Sequence, residues 1–499
     1  MTVTANPQQT LVPDPRRWKA LSLVALADFV VILDATIVNI ALPSIGRHFH
    51  ASILELSWVV SAYILTFGGL LMLGGRLADL FGRRRMFVTG LVIFGVASLA
   101  GGLSTSIGEL ITFRALQGLG AAALAPAARS IVQVLFQEGP ERSKAMGLWA
   151  AVAGSGSVVG LILGGVLTSQ FGWQWVLWVN VPVTLGAAAV AHRLISETRA
   201  EPDHRSVDVA GAALVGGWLV AILYALVNAN TAGWHSLQTL GLLGLGAVLL
   251  ASFVWVESKV AAPLMPLHIF RLPQVRGANI AMVLTAAAMV GMFFVLSLYQ
   301  QQLEGYSALS AGLSALPLAL VLVAVAGAAG PLTDRMGPKP VLLSGLVFFT
   351  LGVAWLSRIP VHGSYLTNLL GPDVIIGLGL GLTFVSITIA STLGVANDRA
   401  GLAGGLINTT QQIGGAIGLA VIATVAATHS AAAQSAATVD SGFRAGLLVA
   451  AGIGVAATTI TAMWFPRRQA PTAEPVTTEV ETVRPVFEPA EIPPPAAAA

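Results

Sequence analysis

The chain has 499 residues, of which 55% are hydrophobic and only 10% are charged, with a formal net charge of +3. An ordinary soluble protein carries roughly 25% charged residues, so this composition excludes a string of soluble domains. The mean hydropathy of +0.80 and the repeated long apolar runs predict an all-α polytopic membrane protein.

Fourteen apolar runs follow one another along the chain. Each contains roughly 20 residues, enough to cross a hydrocarbon core about 30 Å thick as a helix. We therefore predict 14 transmembrane helices, termed spans 1 to 14. Their approximate limits are residues 20–42, 56–75, 86–103, 108–128, 145–167, 174–193, 209–228, 237–256, 277–299, 309–331, 340–357, 367–391, 402–426 and 444–465.

The two ends of the chain differ from the spans in composition. Residues 1–19 are polar and carry Arg16 and Arg17, whereas span 1 is too long for a cleavable signal core and lacks a small-residue cleavage site. We predict that span 1 is retained. Residues 466–499 are rich in Ala, Pro, Glu and Thr and cannot bury a core, so we predict a disordered tail.

The basic residues alternate strongly between the two sides of these 14 spans. With both termini on one side, that side holds 22 of the 26 Lys and Arg residues, the other holds Arg47, Arg358 and Arg444, and Arg114 alone lies within a span. Because loops rich in Lys and Arg stay in the cytoplasm, we predict a multi-pass plasma-membrane protein with both termini cytoplasmic. The basic charge then reports topology and not nucleic-acid binding.

One pattern of glycine, aspartate and a basic residue occurs after span 2 and again after span 10. Every matching position is displaced by 255 residues: Gly75, Asp79, Gly82 and Arg84 correspond to Gly330, Asp334, Gly337 and Lys339. Spans 2 and 10 correspond only if two extra spans separate two six-helix halves. We predict an N-terminal bundle at 20–193, a cytoplasmic linker at 194–208, two extra helices at 209–256 and a C-terminal bundle at 277–465.

Three charged residues lie well inside the spans: Asp28 and Asp34 in span 1, and Arg114 in span 4. Each costs about 3 kcal/mol near a helix centre, so such a residue is a functional candidate by default. The depths of Asp34 and Arg114 are compatible with a pair; the alternative is a static structural ion pair. Asp28, about 120° round the helix from Asp34, either faces a cytoplasmic vestibule or pairs with a neighbour.

The repeated loops are candidates for a cytoplasmic gate. Asp79 follows span 2, where its charge opposes the dipole of its own helix, so a carboxylate there is better placed for a neighbouring group. We predict a contact between the two halves that exists only while the cytoplasmic side is closed. The candidate residues are Gly75, Asp79, Gly82, Arg83, Arg84, Arg85, Asp334, Arg335, Gly337 and Lys339.

Small and polar residues mark two further spans. Gly156, Gly160 and Gly164 recur at spacing four in span 5, with Gly165 beside them, and such a stripe permits close helix packing in a membrane. In span 13 a polar stretch is expected to face a cavity and not lipid. The predicted cavity-lining residues are Asn39, Gln117, Asn408, Gln411 and Gln412.

Several kinds of chemistry have no residues to support them in this sequence. There is no cysteine, and the histidines fall between or at the ends of spans, so we predict no disulfide and no metal site. No Gly-Lys-Ser/Thr phosphate loop is present, so we predict no nucleotide, no other cofactor and no enzymatic activity. A proton gradient then remains as the energy source, with the acidic residues as coupling candidates.

Several stretches of this sequence together resemble the major facilitator superfamily, specifically its 14-helix drug/proton antiporter branch of the multidrug efflux type. The resemblance covers roughly residues 20–465. It rests on the stretches Leu33 to Pro43, Gly75 to Arg85, Arg114 to Gly120, Trp173 to Trp175 and Asn180 to Pro182. In the span 5 motif, Leu161 stands where the branch has a proline.

This resemblance implies two six-helix bundles that rock about a central cavity, with Asp34 exchanging a proton for an exported amphiphilic drug or antibiotic. Arg114 and Asp28 would assist the coupling. We expect a monomer in the lipid bilayer with protons and a small amphiphilic substrate as partners. The alternatives are a proton-coupled exporter or importer of a specific metabolite, or a non-transporting membrane sensor or assembly protein.

Overall fold

The computed structural model describes residues 15–136, 140–199, 208–260, 263, 265, 267–360, 363–395, 400–430 and 436–466. Its α-helices are α1 (Arg17–Phe49), α2 (Ile53–Phe81), α3 (Arg83–Gly102), α4 (Ile107–Leu135), α5 (Pro140–Gln170), α6 (Trp175–Trp178), α7 (Asn180–Leu194), α8 (Val209–Ala232), α9 (Leu237–Lys259), α10 (Pro273–Leu298), α11 (Ala308–Ser314), α12 (Leu316–Met336), α13 (Pro338–Leu356), α14 (Leu370–Thr392), α15 (Ala400–Ser430) and α16 (Ala436–Trp464). A 3-10 turn spans Leu267–Arg271, and π-helical turns span Tyr299–Leu303 and Tyr365–Leu369.

Several of the described helices begin at a residue whose side chain caps them. Ser52 accepts a hydrogen bond from the Glu55 backbone N–H, and the Glu55 carboxylate accepts one from the Ser52 N–H, which completes a capping box at the start of α2. The Ser106 and Asp208 side chains each accept one backbone N–H at the starts of α4 and α8. These caps satisfy backbone donors that a helix start otherwise leaves without partners.

The prediction of an all-α polytopic protein is confirmed. Thirteen helical segments of the described chain are long and apolar enough to cross a membrane, and the one remaining predicted span, span 5, corresponds to α5, whose described apolar part is Ser155–Gln170. Two predicted spans are interrupted. Span 6 is divided into α6 and α7. Span 10 is divided into α11 and α12, because Pro317 in the first turn of α12 has no N–H to continue a helix.

The predicted N-terminal boundary differs from the observed one, whereas much of the linker and the tail is not described. α1 begins at Arg17, inside the predicted N-terminal segment 1–19. Residues 1–14, most of the linker (200–207) and the predicted disordered tail beyond Pro466 lie outside the described residues.

We call the end of the bundle at which α1 begins the near end, and the opposite end the far end. Arg16 donates to the Arg193 carbonyl at the close of α7, and Lys339 at the start of α13 donates to the Ala462 and Phe465 carbonyls. Phe465 packs at Gly277 near the start of α10. The beginning of α1 and the end of α16 therefore lie at the same end.

The helices form two halves with an extra pair between them. Helices α1 to α7 pack together as the N-terminal half, and α10 to α16 as the C-terminal half. Helix α8 packs on both α2 and α15: Leu219 reaches the Gly69 position, and the Thr424 hydroxyl donates to the Leu226 carbonyl. The extra pair thus lies along one boundary between the halves.

The two predicted loop repeats have the same backbone form. Gly82 separates α2 from α3 with φ of 111°, and Gly337 separates α12 from α13 with φ of 84°. Both values lie in the region that glycine alone adopts readily. The internal repeat is therefore a repeat of structure as well as of sequence.

We expect Gly82→Ala to destabilise the protein by about 1–3 kcal/mol through backbone strain. An added Cβ would also approach Glu197. Gly216→Ala, in α8, is the matched control, because nothing lies within 4 Å of its Cβ position and alanine favours the helix. Thermal unfolding in detergent should show a lower midpoint for Gly82→Ala only; equal midpoints for the two variants would contradict the strain argument.

Candidate functional site

Four helices of the N-terminal half converge on one buried polar cluster. Asp34 comes from α1, Arg114 and Gln117 from α4, Asn180 from α7 and Ser98 from α3. Each of these residues is no more than 1% exposed. So many polar groups at one buried position require mutual hydrogen bonds, because an unpaired one would carry its full desolvation cost.

The Asp34 carboxylate accepts three hydrogen bonds within this cluster. Arg114 Nη1 donates to its Oδ2 at 2.5 Å, and Asn180 Nδ2 donates to its Oδ1 at 2.8 Å. Gln117 Nε2 donates to the same Oδ1 at 3.2 Å. The contact with Arg114 is charge-assisted, and such hydrogen bonds are roughly twice as strong as those between neutral groups.

Arg114 is held on several sides. Its Nε donates to the Val59 carbonyl at 3.1 Å, and its Nη1 also reaches Gln117 Oε1 at 2.9 Å. The guanidinium lies 4.4 Å from the centre of the Tyr63 ring on α2, which is within the range of a cation–π contact. The structure therefore brings together Asp34 and Arg114, the two charges that the sequence placed at compatible depths.

A large cavity lies between the two halves next to this cluster. Its volume is about 1650 Å³, and both halves contribute to its wall. Ordinary ligand pockets measure about 300–1,000 Å³, so this cavity has room for a drug-sized compound in more than one position. Most of the predicted polar lining residues contribute to the wall, namely Asn39, Asn408, Gln411 and Gln412.

Gln117 is an exception to that prediction. It is fully buried and does not line the cavity; its side chain bridges Asp34 and Ser98, with Nε2 at 2.7 Å from the Ser98 hydroxyl. Asp34 is also absent from the cavity wall, whereas Arg114 and Tyr63 form part of it. The Arg114 and Tyr63 side chains therefore separate the Asp34 carboxylate from the cavity.

Asp28 occupies a different environment from Asp34. It lines the cavity and is 9% exposed. Arg129, which the sequence placed on the cytoplasmic side, lies within α4, also lines the cavity and faces the Trp149 ring at 5.7 Å. Arg129 also interacts electrostatically with Asp28, so Asp28 lies on the cavity wall in the field of a basic residue of α4.

The two halves are joined at the far end. The Ser297 hydroxyl donates to the Asn39 carbonyl at 2.7 Å, and Gln301 Nε2 donates to the Ile40 carbonyl at 2.9 Å. In addition, the Leu309 N–H donates to the hydroxyl of Ser169 on α5. The cavity wall instead extends to Asp79 and Gln133 at the near end.

The glycines of α5 serve two different contacts. Gly156, Gly160 and Gly164 face α1, where an added Cβ would meet Phe29, Thr36 and Ile37. Gly165 faces Leu309 on α11, and the Leu161 carbonyl packs at Gly312. The stripe thus packs within the N-terminal half, while Gly165 and Leu161 belong to the far-end contact. Helix α5 is continuous through Leu161.

The loop between α2 and α3 is held by its own half. Asp79, which is 32% exposed at its side chain, pairs with Arg83 at 3.2 Å. Glu197 accepts a hydrogen bond from the Arg84 N–H at 3.1 Å and lies 3.7 Å from the Nε atoms of both Arg84 and Arg85. The sequence assigned Glu197 only to a linker, because nothing in its local pattern indicates this contact.

The equivalent loop of the C-terminal half is arranged differently. Asp334 is exposed, and within the described part of the chain it forms no hydrogen bond or ion pair. Lys339 is turned toward the end of α16, where it binds two backbone carbonyls. In this conformation neither repeated aspartate reaches the opposite half. The described residues also contain no group of three metal-ligating side chains.

Several known proteins are similar to this chain in sequence. It is 41% identical over 454 residues to a puromycin resistance protein of Streptomyces alboniger, covering 88% of this chain and 90% of the relative. It is 40% identical to a cephamycin export protein of Amycolatopsis lactamdurans, covering 81% and 84%. A multidrug resistance protein of Mycobacterium tuberculosis is 35% identical, covering 82% and 76%.

Solved structures show the same architecture at low sequence identity. A bacterial homologue of the human lysosomal transporter Spinster, in an inward-facing and unoccupied conformation, matches with a TM-score of 0.66 and 17% identity over 92% of this chain and 99% of that one. The nucleoside transporter NupG matches with a TM-score of 0.63 and 14% identity over 90% and 100%. The model of the Major Facilitator Superfamily matches residues 24–419. Because that match covers most of the chain and agrees with the two-halved helical fold, this protein belongs to the Major Facilitator Superfamily of membrane transporters.

Proposed function

We propose that this protein exports small amphiphilic drugs or antibiotics across the cell membrane in exchange for protons. The observation that carries the proposal is the buried Asp34–Arg114 pair, which lies directly behind the wall of the large cavity between the two halves. The names of the relatives, which include resistance and export proteins, support the substrate class. The alternative function is that of a proton-coupled exporter or importer of one metabolite.

The orientation follows from the charge count. The near end carries the beginning of α1 and the end of α16, and the charge count puts 22 of the 26 basic residues on that side of the predicted spans, so we assign it to the cytoplasm. The cavity reaches this end while the far end is joined by cross-half hydrogen bonds. The conformation is accordingly the inward-facing one, in which a compound enters from the cytoplasm or the inner leaflet. Since one chain supplies both halves of the cavity, we propose that a monomer suffices.

The cavity wall suits amphiphilic compounds. Apolar side chains such as Phe67, Phe293 and Phe384 form much of it. Polar amides project from α15 at Gln411 and Gln412, and Asp28 offers a carboxylate. A wall with few polar groups can hold many apolar compounds in different positions.

The proposed coupling step moves one proton to and from Asp34. In the inward-facing state the carboxylate is ionised and held by Arg114, Gln117 and Asn180, after release of its proton to the cytoplasm. In the outward-facing state it takes a proton from the external side, which removes the charge that attracts Arg114. The guanidinium is then free to change partners as the halves rock, so the step needs a proton gradient and no bound cofactor.

The test of this function is flux into proteoliposomes with an imposed pH gradient. A panel of amphiphilic cations and neutral antibiotics is offered, and accumulation is measured with and without the gradient. We expect several panel members to move against the direction of proton flow. Accumulation of only one metabolite, or movement of the compounds in the same direction as protons, would favour the alternative function of a transporter for one metabolite.

The proposed cytoplasmic gate gives a separate prediction. We expect Asp79 to exchange Arg83 for a partner in the opposite half when the cytoplasmic side closes, so Asp79→Asn should favour the inward-facing state by about 5- to 150-fold, equivalent to roughly 1–3 kcal/mol of coupling. The chain has no cysteine, so one placed at Gln133 on the cavity wall reports access from the near end. Labelling should rise and export should slow while substrate still binds.

Glu55→Gln is the control for that experiment. It removes a carboxylate at the far end, and glutamine preserves the capping box of α2. Labelling and export should match the parent. If Asp79→Asn slows export with no change in labelling, the gate interpretation is wrong.

A further inference from the structure

Asp373 is a second deeply buried carboxyl group, located in the C-terminal half and outside the coupling scheme above. It lies on α14 toward the far end and is 1% exposed. Neither of its carboxyl oxygens has a hydrogen-bond partner among the described residues. Burying an ionised carboxylate without a partner costs several kcal/mol, so this buried position disfavours the charged form of the group.

Among the described residues, no basic side chain forms an ion pair with Asp373. Tyr365, on the π-helical turn before α14, is the titratable side chain that interacts electrostatically with it. Arg358 beyond α13, Tyr299 beyond α10 and His429 at the end of α15 are the nearby titratable groups on the other elements packed against α14. Within the described chain none of these three forms a hydrogen bond or ion pair with the carboxyl group.

Asp373 is connected to the far-end contact through Tyr365. The Tyr365 hydroxyl donates to the Ser314 carbonyl at 3.2 Å, and Ser314 is the last residue of α11. Helix α11 also carries Leu309 and Gly312, which meet α5. Opening of the far end must separate α11 from α5, and α11 is the helix that Tyr365 contacts next to Asp373.

We propose that Asp373 is a second proton-binding site whose occupancy is linked to closure of the far end. With the far end open, water reaches the carboxyl group and it exchanges its proton with the external medium. Closure buries the group, so only the protonated form fits the closed arrangement. The proton returns to the same medium on reopening. The proposal rests on the alternation of open ends proposed above, but not on proton coupling at Asp34.

The consequence is a far end that senses external pH. Low pH favours the closed far end, because it supplies the proton that closure requires, and high pH favours the open one. One linked proton changes the open-to-closed ratio by up to about tenfold per pH unit. The sign is fixed: the closed state binds the proton more tightly than the open state.

The experiment measures the distance between spin labels on cysteines introduced at Phe171 and Leu366, which are 60% and 71% exposed on opposite halves. The labelled protein carries Asp34→Asn, so that protonation at Asp34 does not contribute. Distances are recorded in lipid nanodiscs from about pH 5 to pH 9, a range that brackets a buried carboxyl group. We expect the long-distance, far-end-open population to rise with pH.

Three variants separate the proposal from a general effect of pH. Asp373→Asn, a neutral isostere, should lose the pH dependence and remain closed. Asp373→Glu should keep the dependence with a displaced midpoint. Asp440→Asn, which removes a far-end carboxylate that already pairs with Arg444, should behave as the parent.

Two results would overturn the proposal: an unchanged pH dependence in Asp373→Asn, or an unchanged midpoint in Asp373→Glu. The second remains measurable if the asparagine variant fails to fold. Because the readout is a distance and not a flux, absence of proton-driven transport would refute the proposed function while leaving this result intact.

Discussion

Asp34→Asn is expected to abolish proton-driven export, reducing the gradient-dependent accumulation of every substrate to the level of protein-free vesicles. The amide cannot exchange a proton, yet its oxygen still accepts a hydrogen bond from Arg114, which donates to Asp34 in the parent. We therefore expect a stability loss below the roughly 3–5 kcal/mol of a fully broken buried pair. The measurement is accumulation in proteoliposomes with and without a pH gradient, at matched amounts of inserted protein.

Glu55→Gln, an equal loss of charge outside the cluster, provides the comparison for this variant and should accumulate substrate like the parent. Full gradient-driven accumulation by Asp34→Asn would show that the transported proton binds elsewhere. Asp28, which lines the cavity, would then be the next carboxylate to test.

Arg114→Ala is expected to have two effects. It leaves the Asp34 carboxylate buried without a positive charge, which should lower stability by about 3–5 kcal/mol. It should also displace the pH dependence of transport toward alkaline values, because a carboxyl group without a neighbouring cation keeps its proton to higher pH. The two effects are measured separately, by thermal unfolding and by the pH profile of flux per folded protein.

Arg114→Lys distinguishes charge from geometry at the same position. Lysine keeps the positive charge but not the planar guanidinium that donates to Asp34, Gln117 and the Val59 carbonyl together. Its pH profile should remain close to that of the parent, even if the protein is less stable. A large loss of folded Arg114→Ala with an unchanged pH profile would assign the pair a structural role only.

The sequence was most informative where a single residue conflicts with its surroundings. Asp34 and Arg114 are charged residues in apolar runs, and each conflict is visible without knowledge of the fold. The glycines at 82 and 337 were likewise predictable, because a loop that repeats after 255 residues preserves what its backbone needs. Hydropathy alone was enough to place the helices, although not their interruption before Pro317.

The partners of these residues were not predictable, because they are distant in sequence and ordinary in type. Asn180 lies 146 residues from Asp34. The sequence indicated it only as part of the short stretch Asn180 to Pro182, for which no role was predicted. Gln117 was placed in the cavity, but the rotation of α4 turns it toward Ser98 instead. Asp373 lies inside a predicted span, but no described residue of opposite charge pairs with its carboxyl group, so no pair could be predicted for it.

The central claim is that substrate and proton move in opposite directions through this one chain. Its most direct measurement is the internal pH of proteoliposomes that receive a substrate gradient but no initial pH gradient. We expect substrate movement to drive protons the opposite way in the parent, and no proton movement in Asp34→Asn. Substrate movement in the parent with no proton movement, or with protons moving in the same direction, would contradict the account.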